Sequence, residues 1–359
     1  MLTRRALSEL SKSHEHDLVL SVYLARKNAD PGDRGAWRLR LEAALAEIAK
    51  SLEERAPGEL AAFESARGHL TSALDRVGRV LPAEGWAAFA SEEGLIHACE
   101  LAFAPREIAR WRRGLYVTPY LRAFKDERPV GLALVDHWHA RIYSYEEGRL
   151  TLRDELSADR TAVDASDVGV SKRPATSTGV RGATRTDYAR RIVGENAKRL
   201  RRQIAERLSA LIGDHGGVVL GGTERAVSAL RSELERSMDG RIIEAPEISF
   251  DSTIDELTAA VAERASELTT MRQARLLEAC AGERGARGWN DTYRGLTSAA
   301  VDTLLIARPW LEASPDDAEQ LVRMALAQGA EVEELGNELG LRLAEDGGVA
   351  SRLRFRPAI

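Results

Sequence analysis

Cysteine is scarce in this chain of 359 residues, which contains only Cys99 and Cys280. The two lie far apart, and neither has a second cysteine or a histidine at metal-ligand spacing. We therefore predict reduced core thiols and no disulfide. Two close histidine pairs occur, His14 with His16 and His137 with His139. A zinc site needs about four ligands and nothing completes either pair, so no metal site is predicted.

Long hydrophobic runs are also missing. No stretch of about 18 apolar residues is present, as a membrane-spanning helix would need. The first residues, MLTRRALSELSKSHEHD, contain no apolar signal core. Neither a membrane span nor secretion is therefore expected, and the cytoplasm is the expected location. The chain does have 44% hydrophobic and 30% charged residues, in a length typical of two or three globular domains.

Hydrophobic periodicity and turn residues divide the chain into three predicted domains, residues 1–127, 128–248 and 249–359. The first is predicted to be an α+β domain without a catalytic constellation. Its predicted helices are Thr3–Ser13, Trp37–Leu52 and Leu60–Val77, and its predicted strands are Leu18–Leu24, Trp86–Phe89, Leu95–Cys99 and Arg113–Val117. Trp37, Trp86 and Trp111 are predicted to be core residues rather than base-stacking platforms.

The second domain is predicted to open with three antiparallel strands and to continue with alternating helices and strands. The predicted elements are the strands Val130–Val135, Ala140–Tyr145 and Arg149–Leu156, the helix Arg185–Leu211, the strand Gly216–Gly222, the helix Thr223–Met238 and the strand Arg241–Ala245. This alternation predicts an α/β (α+β) fold of mixed sheets covered by helices. The Leu220–Thr223 turn lacks the dinucleotide and phosphate-loop motifs, so a plain strand-to-helix turn without a cofactor is predicted there.

The third domain is predicted to begin with a long helix, Ile254–Cys280, followed by an α/β layer. Its further elements are predicted as the helices Thr292–Ser298 and Asp316–Gln328 and the strands Val301–Ile306, Glu331–Leu335 and Val349–Phe355. Between Pro309 and Gly348, ten acidic residues face two arginines. If this acidic face binds a partner, reversing Glu331, Glu333 and Glu334 to Lys should reduce recruitment and leave the fold intact. The alternative is that the acids only confer solubility.

Positive charge is concentrated between Ser171 and Arg207, where eleven Lys or Arg residues face three acidic residues. The whole chain has a net charge of −5, so this is a local positive field on an acidic protein. A turn-rich loop and a patterned helix share the charge, which favours a polyanionic partner such as RNA. The alternative is the solvated face of a helix. The predicted RNA-binding cations are Lys172, Arg173, Arg181, Arg185, Arg190, Arg191, Lys198, Arg199 and Arg202.

Several motifs resemble the archaeo-eukaryotic class 1 release factors and Pelota. The segments Trp289–Ile306, WNDTYRGLTSAAVDTLLI, and Glu345–Phe355, EDGGVASRLRF, resemble a helix, a strand and the closing strand of that family's C-terminal domain. Upstream, the GLALVD and ARIY strands, the basic helix beginning Tyr188-Ala189-Arg190 and the VVLGG strand resemble its middle domain. The first domain matches only loosely. The resemblance implies a release-factor-like architecture of three domains.

The Gly-Gly-Gln motif of the true release factors is absent. Counting back from Tyr188, its place is occupied by Arg181, Gly182 and Ala183, followed by Thr184. The family's glutamine positions a water at the peptidyl-tRNA ester, and neither Ala183 nor Thr184 offers the same donor and acceptor at that reach. The resemblance therefore implies a protein that is not an enzyme, whose Gly182, Ala183 and Thr184 belong to an RNA-facing loop.

The pattern resembles the bacterial branch of this superfamily, which includes the ribosome hibernation factor Balon. This implies a stress-response protein that occupies the ribosomal A site and contacts the rRNA of the A site and peptidyl-transferase region, together with P-site tRNA. A translational GTPase such as elongation factor Tu is an implied partner. Two alternatives stay open. One is a rescue or release factor acting on peptidyl-tRNA through a group such as Asp187 or Ser177, and the other is a ribosome-independent RNA-binding protein.

Overall fold

The computed structural model describes residues 2–26, 36–78, 80–81, 83–122, 128–146, 148–158, 185–213, 215–238 and 240–356, and of residues 185–193 the helical backbone alone. Two compact units form, Met1–Lys125 with Gln273–Ile359, and Asp126–Arg272. Both contain sheets covered by helices, which confirms the predicted α/β fold class. The predicted boundaries between three domains stay a prediction.

The secondary-structure elements are numbered in chain order. The helices are α1 (Arg4–Ser13), α2 (Ala36–Arg55), α3 (Leu60–Val77), α4 (Arg185–Ile212), α5 (Glu224–Met238), α6 (Ile254–Ala279), α7 (Gly288–Thr297), α8 (Arg308–Ala313), α9 (Pro315–Ala327) and α10 (Asn337–Glu345). The strands are β1 (Leu18–Ala25), β2 (Gly85–Ser91), β3 (Leu95–Leu101), β4 (Ile108–Arg113), β5 (Val130–Val135), β6 (His139–Glu146), β7 (Arg149–Ser157), β8 (Gly217–Gly222), β9 (Ile242–Glu244), β10 (Gly285–Arg287), β11 (Val301–Ala307), β12 (Glu331–Leu335) and β13 (Val349–Leu353).

The first unit contains two four-stranded sheets. One has the order β3-β2-β1-β4 and is antiparallel throughout, and the other has the order β10-β13-β11-β12 with β11 and β12 parallel. Successive side chains of β1 point to opposite faces, as the two-residue period of a strand requires. Leu20 and Val22 pack under α2 and α3, whereas Val19 and Tyr23 enter a core shared with β11 and α9.

The second unit is one five-stranded mixed sheet of order β7-β6-β5-β8-β9. Its central strand β5 pairs with β6 antiparallel and with β8 parallel. Both faces of β5 are covered, because Ala133 and Val135 lie in the core with α4 and α5 while Leu132 and Leu134 lie in the core with α6. A continuously apolar strand is typical of a sheet with helices on both sides.

One predicted strand, Arg113–Val117, is wrong, because the strand ends at Arg113 and begins at Ile108. Two of the backbone N–H groups after Arg113, those of Tyr116 and Val117, are bound by side chains instead of by a neighbouring strand. Tyr116 N donates to Ser21 Oγ at 3.0 Å, and Val117 N donates to Glu319 Oε1 at 2.8 Å. The other predicted helices and strands are found to within a few residues, while β10, α8 and α10 were not predicted.

Both cysteines are free thiols. Cys280 is 2% exposed, and burial raises the pKa of its thiol to about 11, which confirms an inert core residue. Cys99 is only partly buried, with its Sγ 2.6 Å from the hydroxyl oxygen of Tyr120.

Of the three tryptophans predicted to be core residues, two are buried and one is half-buried. Trp37 and Trp86 are buried, and the half-buried Trp111 donates its Nε1 hydrogen to Glu59 Oε2 at 2.9 Å.

Candidate nucleic-acid interface

The basic helix α4 is seated on the sheet by an apolar stripe at helical spacing. Ala197, Leu200, Ile204, Leu208 and Ile212 are each 6% exposed or less. This three-and-four spacing keeps the stripe on one side of the helix, so the intervening polar residues must face outward. Helix α4 lies close to strand β5, since a Cβ atom added at Gly131 of β5 would lie 3.1 Å from Leu208 Cδ2. The glycine therefore lets the helix approach the strand.

The outward side of α4 carries exposed cations. Lys198, Arg199 and Arg202 are all exposed. Between residues 194 and 212, five Lys or Arg residues face two acidic residues. Arg202 has a weak ion pair at best, with its Nε 4.0 Å from Glu233 Oε1. Among the described residues no ion pair is found for Lys198 or Arg199, so these cations can meet an anion from solution.

The remaining predicted RNA-binding residues divide into two groups. Lys172, Arg173, Arg181, Gly182, Ala183 and Thr184 lie outside the described residues. Arg185, Arg190 and Arg191 lie in the first turns of α4, where the backbone is described. The structure therefore brings Lys198, Arg199 and Arg202 together on one helix, and the role of the others stays a prediction.

In the glycine turn after β8, the backbone N–H groups of Gly222 and Thr223 already have carbonyl partners. Gly222 N donates to Ile248 O at 3.0 Å, and Thr223 N donates to Val135 O at 3.0 Å. Gly222 has a φ of +114°, and a Cβ atom there would lie 2.1 Å from Val135 O. The glycine is needed for close backbone approach, which supports the prediction of a plain strand-to-helix turn.

Asp136, in the second unit, is an acid whose pKa is shifted. Burial alone would raise the pKa of the Asp136 carboxyl, but hydrogen bonds from the backbone N–H groups of Trp138 and His139 outweigh burial and lower it. Both donors lie 2.6 Å from Asp136 Oδ1. Asp136 is therefore an ionised turn-forming residue, and its arrangement is not that of a general base with a raised pKa.

No group of three or more metal-ligating side chains occurs in the part of the chain that the structure describes.

The acidic residues of β12 are not a free surface. Glu333 is 1% exposed and Glu334 is 3% exposed. Arg308 Nε donates to Glu334 Oε1 at 2.5 Å, and Glu331 Oε1 lies 3.4 Å from Arg4 Nη1. The prediction that these acids can be reversed without harm to the fold is wrong for Glu333 and Glu334. Both faces of β12 are covered, so side chains that point to either face of the strand are buried.

Sequence reasoning missed a second set of arginines, in the first unit. Arg110 and Arg112 of β4 both approach Asp316 of α9, with Nη1 atoms 3.0 Å and 3.6 Å from Asp316 Oδ1. The repeated Arg in Ile108–Arg113, IARWRR, is a two-residue period that could have indicated a charged strand face. Nothing in the sequence places Asp316 opposite it.

The fold and the basic helix together define a mixed α/β protein with a cationic helix exposed on one of its sheets. Residues 116–269 match the family described as Bacterial archaeo-eukaryotic release factor family 10. The matched residues include the five-stranded sheet and α4. This part of the chain is therefore similar to the bacterial archaeo-eukaryotic release factors, which confirms the resemblance seen in the sequence. No curated protein sequence matches the chain.

Solved structures of related folds were also found. An archaeal translation termination factor aRF1 is 18% identical over 99% of both chains with a TM-score of 0.28. Dom34 of S. cerevisiae is 9% identical over 70% of this chain and 75% of its own, with a TM-score of 0.44. A ribosome-bound archaeal Pelota is 13% identical over 73% of this chain and 72% of its own, with a TM-score of 0.42.

No helix among the described residues is both long enough and apolar enough to cross a membrane.

Proposed function

We propose that this protein is a ribosome-binding translation factor that occupies the A site without hydrolysing peptidyl-tRNA and acts as a hibernation factor. The family match over residues 116–269 supports a translation factor. Ala183 and Thr184 at the place of the catalytic glutamine support the absence of hydrolysis. We further propose a translational GTPase such as elongation factor Tu as a partner.

The observation that carries the proposal is the exposed basic face of α4 within the family-matched region. Helix α4 packs on the sheet through its buried stripe, so the fold sets the positions of the exposed Lys198 and Arg199 relative to each other. Each RNA phosphate that a cation neutralises releases counterions, which makes binding depend on salt. If the protein binds ribosomal RNA through this helix, its affinity for RNA should depend less on salt when the cations are removed.

The test compares two variants in ribosome cosedimentation between low and moderate salt. For Lys198→Ala/Arg199→Ala we expect weaker binding and a log K against log salt slope that is flatter by about 0.7 to 0.9 for each lost contact. Arg225→Ala/Arg236→Ala is the matched control, because it removes two exposed cations from the neighbouring helix α5. Equal slopes for both variants and the wild type would exclude α4 as the RNA-facing element.

Hibernation is separated from rescue by the state of the ribosomes. A hibernation factor should cosediment with ribosomes from resting cells and leave them during growth, whereas a rescue factor should follow stalled ribosomes in growing cells. The readout is the fraction of the protein in the 70S peak of a sucrose gradient. An RNA-binding protein independent of the ribosome would sediment with RNA outside that peak in both states.

A further inference from the structure

A cleft of about 1000 Å³ runs beside β4 within the first unit. Strand β4 is the last strand of its sheet, so in the described part of the chain one of its edges has no neighbouring strand. Its lining includes Leu52 of α2, Leu311 of α8 and Pro315 of α9. The open edge of a sheet thus forms part of a groove with apolar walls, which is a geometry suited to an added strand.

The backbone of β4 presents unpaired groups to this cleft. Gly114 N donates to Asp17 O at 2.9 Å, and Leu18 is paired with Arg113. Because hydrogen-bonded and non-bonded positions alternate in an antiparallel pair, the backbone groups of Ala109 and Trp111 point away from β1. Arg113 O, on the edge of β4 that faces away from β1, accepts a hydrogen bond from Arg323 Nη1 at 3.2 Å. This edge is therefore accessible to a hydrogen-bond donor. Among the described residues no hydrogen bond is found to the backbone groups of Ala109 or Trp111.

The side chains of β4 supply positive charge on one face. Arg110 and Arg112 are two residues apart, so both point to the same side of the strand. They share a single carboxylate, that of Asp316, whose side chain is 74% exposed. Two guanidinium groups around one exposed carboxylate leave donors for a second anion, because each guanidinium has five N–H donors.

The other charges of the cleft do not neutralise this pair. Its lining contains five arginines and four acids. Two of the acids are bound by arginines from outside the lining. Arg40 holds Glu107 through two contacts of 2.7 and 2.8 Å, and Arg308 holds Glu334 at 2.5 Å. Arg323 in turn lies 3.9 Å from Glu15, which is also outside the lining. The four remaining arginines outnumber the two remaining acids, so the groove has a positive charge and an acidic occupant complements it.

We propose that the β4 edge binds an extended acidic segment of a partner protein as an additional strand. Its backbone would pair with Ala109 and Trp111, and carboxylates at alternate positions would meet Arg110 and Arg112. The six residues of β4 span about 20 Å at roughly 3.3 Å per residue, enough for a short peptide. A second copy of this chain does not fit, since pairing β4 with itself places arginine opposite arginine.

The aromatic residues of the cleft favour a peptide over single-stranded RNA. Binding of unpaired bases uses exposed aromatic rings as stacking platforms. Tyr116 is 2% exposed and lies beneath the guanidinium of Arg110, 5.2 Å from its ring centre. Trp111 packs edge-on against Phe63, with 5.5 Å between ring centres. Neither ring of the described lining is free to stack on a base.

The probe for the first experiment is a fluorescein-labelled peptide of eight residues that alternates Glu and Val, titrated with the full-length protein and read by anisotropy. We expect Arg110→Ala/Arg112→Ala to weaken binding by at least about tenfold, since two charge-assisted contacts are lost. Asp316→Asn should tighten binding severalfold, because the internal competitor for both arginines is removed. Asp317→Asn is the matched control on the same helix turn and should change nothing.

The second experiment uses the wild-type protein alone, so it does not depend on the folding of a variant. The peptide is N-methylated either at every Val or at every Glu. Only one set of N–H groups can face β4, so one methylated peptide should lose binding and the other should keep it. Equal affinities of both, no binding of the parent peptide, or tighter binding of octauridylate would each overturn the proposal. An affinity unchanged by Asp316→Asn would also contradict it.

Discussion

At the scale of single residues, buried carboxylates connect segments that lie far apart in the chain. Glu319 of α9 is fully buried and accepts hydrogen bonds from Val117 N at 2.8 Å, Thr118 N at 2.9 Å and Thr118 Oγ1 at 2.5 Å. It thereby satisfies the backbone of a segment that belongs to no strand. Loss of such an acceptor leaves buried donors unpaired, which costs about 1–3 kcal/mol for each group.

The ionisation of Glu319 should make stability depend on pH. Burial raises the pKa of its carboxyl, and the hydrogen bonds from Thr118 and Val117 offset this only in part. The folded protein then takes up the proton at a higher pH than the unfolded chain, so the stability rises as the pH falls through the raised pKa toward the unfolded value. We expect the wild type to gain stability relative to Glu319→Gln between pH 7 and pH 5, measured by urea unfolding. The opposite trend would show that the hydrogen bonds outweigh burial.

Reversal of the β12 acids should damage the fold. Glu333→Lys/Glu334→Lys places two cations where the wild-type side chains are at most 3% exposed, and it removes the partner of Arg308. A cation placed at either buried position has no compensating charge, which is strongly unfavourable. We expect a large fall in the urea midpoint or insoluble protein. The control is Glu338→Lys at an exposed position of α10, with a change within about ±0.5 kcal/mol.

At the scale of elements, α4 combines a well-packed stripe with an unfavourable residue. Gly194 lies in the helix, is exposed, and has open space where a Cβ atom would stand. Glycine in a helix interior is less favourable than alanine by roughly 0.5–1 kcal/mol. The helix is therefore held by its contacts with the sheet rather than by its own propensity.

Two glycine substitutions should change stability in opposite directions. Gly194→Ala should raise the free energy of unfolding by roughly 0.5–1 kcal/mol, because it restores helix propensity without a clash. Gly131→Ala should lower it by about 1–3 kcal/mol, since the new Cβ atom would lie 3.1 Å from Leu208 Cδ2 and 3.2 Å from Ile212 Cγ2. Thermal and urea unfolding of both variants measure the two effects. A loss of stability with Gly194→Ala would contradict this account of α4.

At the scale of the whole molecule, charge is distributed unevenly. The net charge is −5, yet α4 displays exposed cations and the β4 cleft contains a further set. A negative background limits nonspecific attraction to nucleic acid, while local positive fields act at defined places. We expect ribosome binding to reside in α4 and to be independent of the β4 edge, so Arg110→Ala/Arg112→Ala should leave cosedimentation unchanged.

Purified full-length protein should release no peptide from ribosomes that carry peptidyl-tRNA. The reason is chemical, since Ala183 and Thr184 cannot position a water as a glutamine amide does. The measurement is the labelled peptide freed above buffer background, with a genuine release factor as the positive control. Release at a rate comparable with that control, and its loss in Asp187→Asn, would assign the chain to the rescue or release alternative.

Elements with strong local patterns could be predicted from the amino-acid sequence. The α4 stripe and the apolar strand β5 could be predicted because residues three or four apart on a helix, and runs of apolar residues in a buried strand, are local signals. The charge of α4 could be predicted for the same reason, and the family resemblance rested on the same motifs. The exposure of Lys198 and Arg199 followed from their spacing relative to the buried residues.

Which polar residues are buried, and which distant residues are in contact, depends on tertiary packing and could not be predicted. The sequence predicted that Glu333 and Glu334 belong to an acidic surface, but packing covers both faces of their strand. Arg110 and Asp316 are 206 positions apart, and the Glu319 contacts span a similar separation. Such pairs leave no periodic trace in the sequence, because the free energy that brings them together comes from the burial of apolar side chains elsewhere in the core.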